Sequence, residues 1–262
     1  MLERKRSLGR VARAPFTAAH YVALWNSLKV YPRPVQVMTR YVFGSGSYPY
    51  LCRVRTPLGT QGITLYHADD VQTVTEVFCR HDYAASSDIQ TVVDIGSNIG
   101  VSALYFLTRN RSVRCHLFEP DLRNVEHLRH NLAGFDDRYN LQGCAVADRD
   151  GIVDFGIEET GRYGGIGIAR GGTIRVPCRD VSAVLDDVLQ EAGEIDILKI
   201  DAEGVEEAIV RAIRADLLER IKLLYFEVAE PIAPLHRDLF LHSRRMQIER
   251  LARRTTVSAQ PG

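Results

Sequence analysis

From residue 91 onward, short apolar runs alternate with stretches whose apolar positions recur at helical spacing. Thr91–Ile95 is a β-branched run that stops at a glycine, and residues 101–108 then read as helix. Residues 114–119 form the next expected strand, followed by a helix with Leu122, Val125, Leu128 and Leu132 on one side. A third strand is expected at 141–146 and a fourth at 197–200, with a helix over 181–192. Residues 152–157 and 173–176 read as the arms of an excursion between them. Val205, Ala208, Ile209, Ala212 and Ile213 follow the i, i+3, i+4, i+7, i+8 rule, and residues 223–228 read as a fifth strand. Strands apolar on both faces, alternating with helices, predict an α/β fold built on a doubly wound, mostly parallel Rossmann-like sheet.

Upstream, the first fifty residues read as a helical or irregular arm punctuated by Pro32, Pro34, Gly44, Gly46 and Pro49. Residues 51–55 and 62–66 look like a hairpin around Pro57-Leu58-Gly59. Asp69 or Asp70 is then placed to cap a helix with the stripe Val71, Val74, Val77, Phe78. The expected organisation is an arm over 1–50, one domain over 51–235 with a nucleotide-binding core from about residue 90, and a basic C-terminal helix or tail over 236–262. In that last segment Leu235, Leu239, Phe240, Met246, Ile248 and Leu251 read as helix.

Composition narrows the function classes. With 45% hydrophobic and 25% charged residues the chain can bury a core, and 33 cations balance 33 anions, so nucleic acid is not an expected partner. Residues 1–13 carry five cations against Glu3, and the chain after His236 carries six arginines against Asp238 and Glu249. These ends read either as solvated termini or as weak attraction to an anionic membrane surface or a polyanionic substrate. Five scattered cysteines without a C-x-x-C pair point to reduced thiols and a cytoplasmic protein. No run approaches the roughly 18 apolar residues of a membrane span, and the N-terminal stretch lacks the apolar run and cleavage site of a secretory signal.

The first βα turn of such a sheet is where a nucleotide ligand binds. Here it reads Asp94-x-Gly96-x-Asn98-x-Gly100. Gly96 lets the chain turn off the strand, and Gly100 permits close approach at the next helix's start. A dinucleotide loop would read G-x-G-x-x-G. Counted from Gly96, Asn98 and Val101 replace its second and third glycines, so a pyrophosphate is disfavoured. S-adenosylmethionine fits better: its carboxylate suits the helix start, and Asp94 suits its ammonium group. Glu119 ends the second strand, 25 residues after Asp94, where a carboxylate can accept both ribose hydroxyls.

Four blocks resemble the FkbM-type family of S-adenosylmethionine-dependent methyltransferases. They are Val93-Asp94-Ile95-Gly96-Ser97-Asn98-Ile99-Gly100; Phe118-Glu119-Pro120-Asp121 with Asn131-Leu132; Ala145-Val146-Ala147-Asp148-Arg149-Asp150-Gly151; and Leu198-Lys199-Ile200-Asp201-Ala202-Glu203-Gly204-Val205-Glu206. Phe226-Glu227-Val228 adds a less distinctive match, and the likeness covers roughly residues 51 to 230. It implies methyl transfer to an oxygen, a hydroxyl of a small molecule, sugar or glycan. It also implies donor contacts from Asp94, Gly96, Ser97, Asn98, Gly100, Glu119, Pro120, Ala147 and Asp148, the last beside the adenine. Ser97 replaces the family's usual alanine. The helical reading after Glu230 departs from the antiparallel hairpin that usually completes such sheets.

The transition state of methyl transfer loses the donor's positive charge, and a base that removes the acceptor's proton helps by about 10²–10⁴-fold. Strand alternation puts Lys199, Asp201 and Glu203 on one face at a strand's carboxyl end, which makes them the candidate catalytic residues. Asp201 is the first choice as base or orienting group. Lys199 either holds its geometry or lowers the pKa of an acceptor hydroxyl. Glu203 and Glu206 read alternatively as acids at a helix start. Two carboxylates alone make a thin metal site, so no metal is expected, and no histidine spacing adds one; His127 and His130 are expected on an exposed helix face. The glycines between Gly161 and Gly172 fit a mobile lid or a slack connection equally. Two other readings share this pattern: an NAD(P)-dependent oxidoreductase on the same fold, and a non-catalytic donor-binding module.

Overall fold

The computed structural model describes residues 18–158, 164–166, 172–228 and 235–254. The chain divides into two compact units, one ending at Ala84 and one beginning at Ala85.

In the N-terminal unit the expected arm is two helices, α1 (Ala18–Val30) and α2 (Pro34–Phe43). Proline at the start of α2 has no N–H to leave orphaned, and Gly44, at φ 62°, ends it with its N–H on the Arg40 carbonyl. The expected hairpin is β1 (Tyr50–Thr56) and β2 (Gly59–Leu65), paired antiparallel from Tyr50↔Leu65 to Thr56↔Gly59. The helix after it, α3 (Asp70–Val74), passes into a π-helical turn over Thr75–Arg80. Neither aspartate caps it through its side chain. Asp70 instead turns back and accepts the N–H groups of Tyr66 and His67 at 2.7 and 2.9 Å. Tyr31, Val54, Ile63, Leu65 and Val74 are fully buried and form this unit's core.

The second unit is a seven-stranded sheet. Its strands are β3 (Thr91–Ile95), β4 (Arg114–Phe118), β5 (Tyr139–Gln142), β10 (Ile195–Ile200), β11 (Ile221–Glu227), β12 (Phe240–Arg245) and β13 (Ile248–Arg253). They lie in the order β5–β4–β3–β10–β11–β13–β12, with β13 antiparallel to both neighbours and the first five strands parallel. Every residue of β3 is buried, and so is nearly all of β10, as a sheet covered on both faces requires. Helices α4 (Val101–Leu107), α5 (Leu122–Asn131), α6 (Val181–Ala192), α7 (Glu206–Ala212) and α8 (Ala215–Leu218) connect the strands. Asp121 and Asp180 cap α5 and α6 by accepting the N–H groups of Arg123 and Ala183.

Two expectations are corrected. The single third strand is two strands: β5 ends at Gln142, and after Gly143 the chain enters β6 (Ala145–Ala147). β6 belongs to a separate sheet of order β6–β9–β7–β8, with β7 (Gly151–Ile157), β8 (Gly164–Ile166) and β9 (Thr173–Asp180). The glycine-rich segment therefore contributes β8, while residues 159–163 and 167–171 lie outside the described residues. The expected C-terminal helix is the hairpin β12–β13, which buries Phe240, Ile248 and Leu251. Its tight turn rests on Met246 at φ 57°, with no glycine, so the usual hairpin signal is missing from the sequence. Arg253 ties the hairpin to the body through Glu194, while Arg244 pairs with Glu249 across the hairpin itself.

Candidate active site

β3 runs out to β4 and β5 on one side, and the chain returns through β10 to β11 on the other. The order therefore reverses between β3 and β10, the kind of switch point at whose carboxyl ends such sheets bind ligands. Both loops there start from adjacent register positions, Asp94↔Lys199 and Ile95↔Ile200. Gly96 leaves β3 at φ 80°, and a Cβ there would lie 1.9 Å from the Asp201 carbonyl oxygen. Glycine is required twice over, by conformation and by contact. Across the join, Asp201 donates its N–H to the Ile95 carbonyl at 3.0 Å.

A buried charge cluster holds the two loops in register. Lys199 Nζ donates to Asp94 Oδ1 at 2.9 Å and to the Gly96 carbonyl at 3.0 Å, and lies 3.4 Å from Asp201 Oδ2. Asp94 is fully buried, and its other oxygen accepts the Ser102 hydroxyl at 2.6 Å. Burial opposes the charge on Lys199, but the carboxylates of Asp94 and Asp201 outweigh it and hold the ammonium protonated above its ordinary range. Of the three side chains, only Asp201 reaches solvent, at 28% exposure.

Two further acids brace the loops through backbone donors. Glu119, just past β4, accepts the N–H of Asn98 at 2.8 Å and that of Asp121 at 2.9 Å. Burial pushes its carboxyl up to about 7, against the pull of those N–H groups. Glu206, in the first turn of α7, accepts the N–H groups of Ala202 and Gly204 at 3.0 and 2.8 Å, and burial raises its pKa as well. Between them, Glu203 is half-buried with φ at 55°, a left-handed conformation that a non-glycine residue adopts at a cost.

The FkbM methyltransferase domain model matches residues 94–250, which begins on the buried aspartate of this cluster and ends in β13. The chain belongs to the FkbM methyltransferase family. A 2-O-methyltransferase, NoeI, of Sinorhizobium fredii is 29% identical over 160 residues, covering 53% of this chain and 63% of that protein. Among solved structures, an FkbM methyltransferase from Methylobacillus flagellatus is 18% identical at a TM-score of 0.39, covering 61% of this chain and 43% of that one. A methyltransferase from Geobacter sulfurreducens is 21% identical at a TM-score of 0.38, covering 70% and 78%.

In this FkbM chain the expected site residues divide by what they touch. Gly96, Asn98, Gly100, Glu119, Lys199, Asp201 and Glu203 lie on the two loops of the switch point or at the strand ends beneath them. Asp94 is fully buried, one oxygen engaged by Lys199 and the other by Ser102 of α4. Ser97 is likewise internal, its hydroxyl donating to the Asp94 carbonyl at 2.8 Å. Lys199 is a buried ammonium with three oxygens around it, from Asp94, Gly96 and Asp201. Pro120 is buried beside Glu119. Ala147 and Asp148 follow a different strand from the one expected: Ala147 pairs with Asp180 in the second sheet, and Asp148 is exposed beside Arg149. Of the helical histidines, His130 is exposed and His127 half-buried.

Two supporting residues, Ser102 and Asn124, were not singled out from the sequence, and Asn131, quoted there within the second resemblance block, was given no role. Ser102 and Asn124 are ordinary helix residues until the fold places them on Asp94 and Glu119. Asn131, whose Nδ2 donates to the Ile99 carbonyl at 2.9 Å, ties the end of α5 to the first loop. Among the described residues no group of three His, Cys, Asp or Glu side chains is arranged to hold a metal ion. All five cysteines are buried free thiols. No described helix is long and apolar enough to cross a membrane.

Proposed function

We infer that this FkbM-family chain transfers a methyl group from S-adenosylmethionine to a hydroxyl oxygen of a sugar, glycan or other small-molecule acceptor. The observation that carries the reading is the Lys199 cluster, which holds the Asp201 carboxylate, partly open to solvent, at the switch point of the sheet. Its charges also fit the donor. Two carboxylates around one ammonium leave an excess negative charge there, which favours a cationic ligand over its neutral product. Glu119 fits the ribose, since three N–H contacts leave its carboxylate an acceptor position for a hydroxyl.

When bound, S-adenosylmethionine supplies an electrophilic methyl on a sulfonium. The residues of the chain do the remaining work. The Gly96–Gly100 loop and Glu119 fix the ligand's direction, which matters because in-line orientation contributes much of the acceleration. Asp201 accepts a hydrogen bond from the acceptor hydroxyl and takes its proton as the oxygen is methylated. Lys199 keeps Asp201 aimed. The sugar or glycan class of acceptor follows from the FkbM-type resemblance, and transfer to oxygen agrees with a relative that is a 2-O-methyltransferase.

The test is radiolabelled methyl transfer to hydroxyl-bearing glycan fractions, with Asp201→Asn alongside. The variant is expected to lose about 10²-fold or more in kcat with little change in donor affinity. Undiminished turnover by Asp201→Asn refutes its assignment. Thermal stabilisation by NAD(H) and not by adenosylhomocysteine refutes the donor, and absence of transfer to every hydroxyl acceptor favours the non-catalytic alternative.

A further inference from the structure

Between Arg4 and Ala68 the chain contains ten lysines and arginines and no aspartate or glutamate, although the protein as a whole is neutral. This one-signed stretch includes both helices of the N-terminal unit, with Lys29 in α1, Arg40 in α2 and Arg33 between them. Those helices are apolar beyond what their buried faces need. α1 buries Ala23 and Ser27, yet leaves Leu24, Trp25 and Leu28 exposed, with Trp25 at 64%. α2 buries Val37, yet leaves Val35 79% and Phe43 75% exposed. Lys29 and Arg33 are exposed beside these residues, and the Lys29 ammonium lies 5.7 Å from the centre of the Trp25 ring.

We propose that this unit docks on an anionic phospholipid surface, with the exposed side chains of α1 and α2 entering the headgroup boundary. Length and charge favour this occupant. α1 has 13 residues and is about 20 Å long, short of the roughly 30 Å hydrocarbon core, so it lies along an interface rather than across it. A tryptophan with aliphatic neighbours and a basic rim is the composition that such helices use. Long cationic side chains can lie over the apolar patch while keeping their charges at the phosphates. A second copy of the chain is a poor occupant, because it would bring the Lys29 and Arg33 charges of two such patches together.

Trp25 is the sole tryptophan of the chain, so its emission reports on this face alone. The full-length protein is mixed with vesicles of phosphatidylcholine, either pure or containing phosphatidylglycerol, and both emission and co-sedimentation are followed. A blue shift and sedimentation with the anionic vesicles only is the expected result. Lys29→Gln/Arg33→Gln is expected to weaken binding about 25-fold at low salt, at about fivefold per charge. Leu24→Ser/Leu28→Ser is expected to weaken it at least about tenfold while leaving the circular dichroism spectrum unchanged. The proposal is overturned by unchanged emission with anionic vesicles or by equal binding to both vesicle types. It is also overturned if Leu24→Ser/Leu28→Ser binds like wild type, or if a concentration-dependent blue shift without vesicles reveals self-association.

Discussion

Replacing Lys199 by methionine removes the ammonium while nearly keeping the side chain's volume, and so isolates the charge. Asp94 then remains fully buried, with Ser102 as its one donor. At 2.9 Å and an effective dielectric of about 20, the Lys199–Asp94 attraction amounts to about 6 kcal/mol. The relieved cost of burying the ammonium offsets part of that. Removing one partner of a buried pair typically costs about 3–5 kcal/mol, and the Ser102 hydrogen bond places this case near the lower end. The expected loss is about 3 kcal/mol, roughly 6–12 °C in Tm for a unit of this size.

The loss carries a pH signature. Lys199 is held above its unfolded pKa, so its contribution is fully present below that value and stays constant between pH 5 and 8. Burial already holds the folded pKa of Asp94 above its unfolded value in spite of Lys199, and loss of the cation in the variant raises it further. The folded variant then retains a proton at acid pH, and its deficit is smaller at pH 5 than at pH 8. Urea unfolding followed by circular dichroism at both pH values measures this. Lys199→Met/Asp94→Asn is expected to recover much of the stability, with a coupling of about 2 kcal/mol or more. A deficit below about 1 kcal/mol at pH 8, or one equal at both pH values, would refute the argument that the cluster is an electrostatic clamp.

Glu119 ionises near 7, and ribose hydroxyls need its charged form. Adenosylhomocysteine affinity measured by calorimetry should therefore fall about tenfold per pH unit below 7, and Glu119→Gln should bind weakly with a flat profile. Because its folded pKa is raised, Glu119 costs native stability as pH rises from 4.5 to 7, so Glu119→Gln should be relatively more stable at pH 8 than at pH 5. Glu203→Gly removes the left-handed strain at φ 55° and should raise Tm by about 2–4 °C while lowering kcat; an unchanged kcat would leave Glu203 as a loop residue only. Gly96→Ala drives a Cβ into the Asp201 carbonyl and should cost about 3 kcal/mol or more together with donor binding, read by thermal shift with and without adenosylhomocysteine.

The sequence by itself determined the alternation of central strands and helices, β3, β4, β10 and β11 with the helices after the first three, because strands buried on both faces must be apolar throughout and the helices between them amphipathic. It also marked the two loops, since Gly96 and the 198–206 block are local features with local reasons. Tertiary structure alone decided what the charged residues do. Asp94 and Lys199 lie 105 positions apart, and only parallel pairing of β3 with β10 turns two separate candidates for ligand chemistry into one buried clamp. The split between β5 and β6, and the hairpin β12–β13, were equally invisible, because Gly143 and Met246 carry no pattern that distinguishes a change of sheet or a tight turn from continuation. The loop after β3 and the strand end after β10 are each legible alone; their contact, through the one glycine that allows it, exists only in the fold.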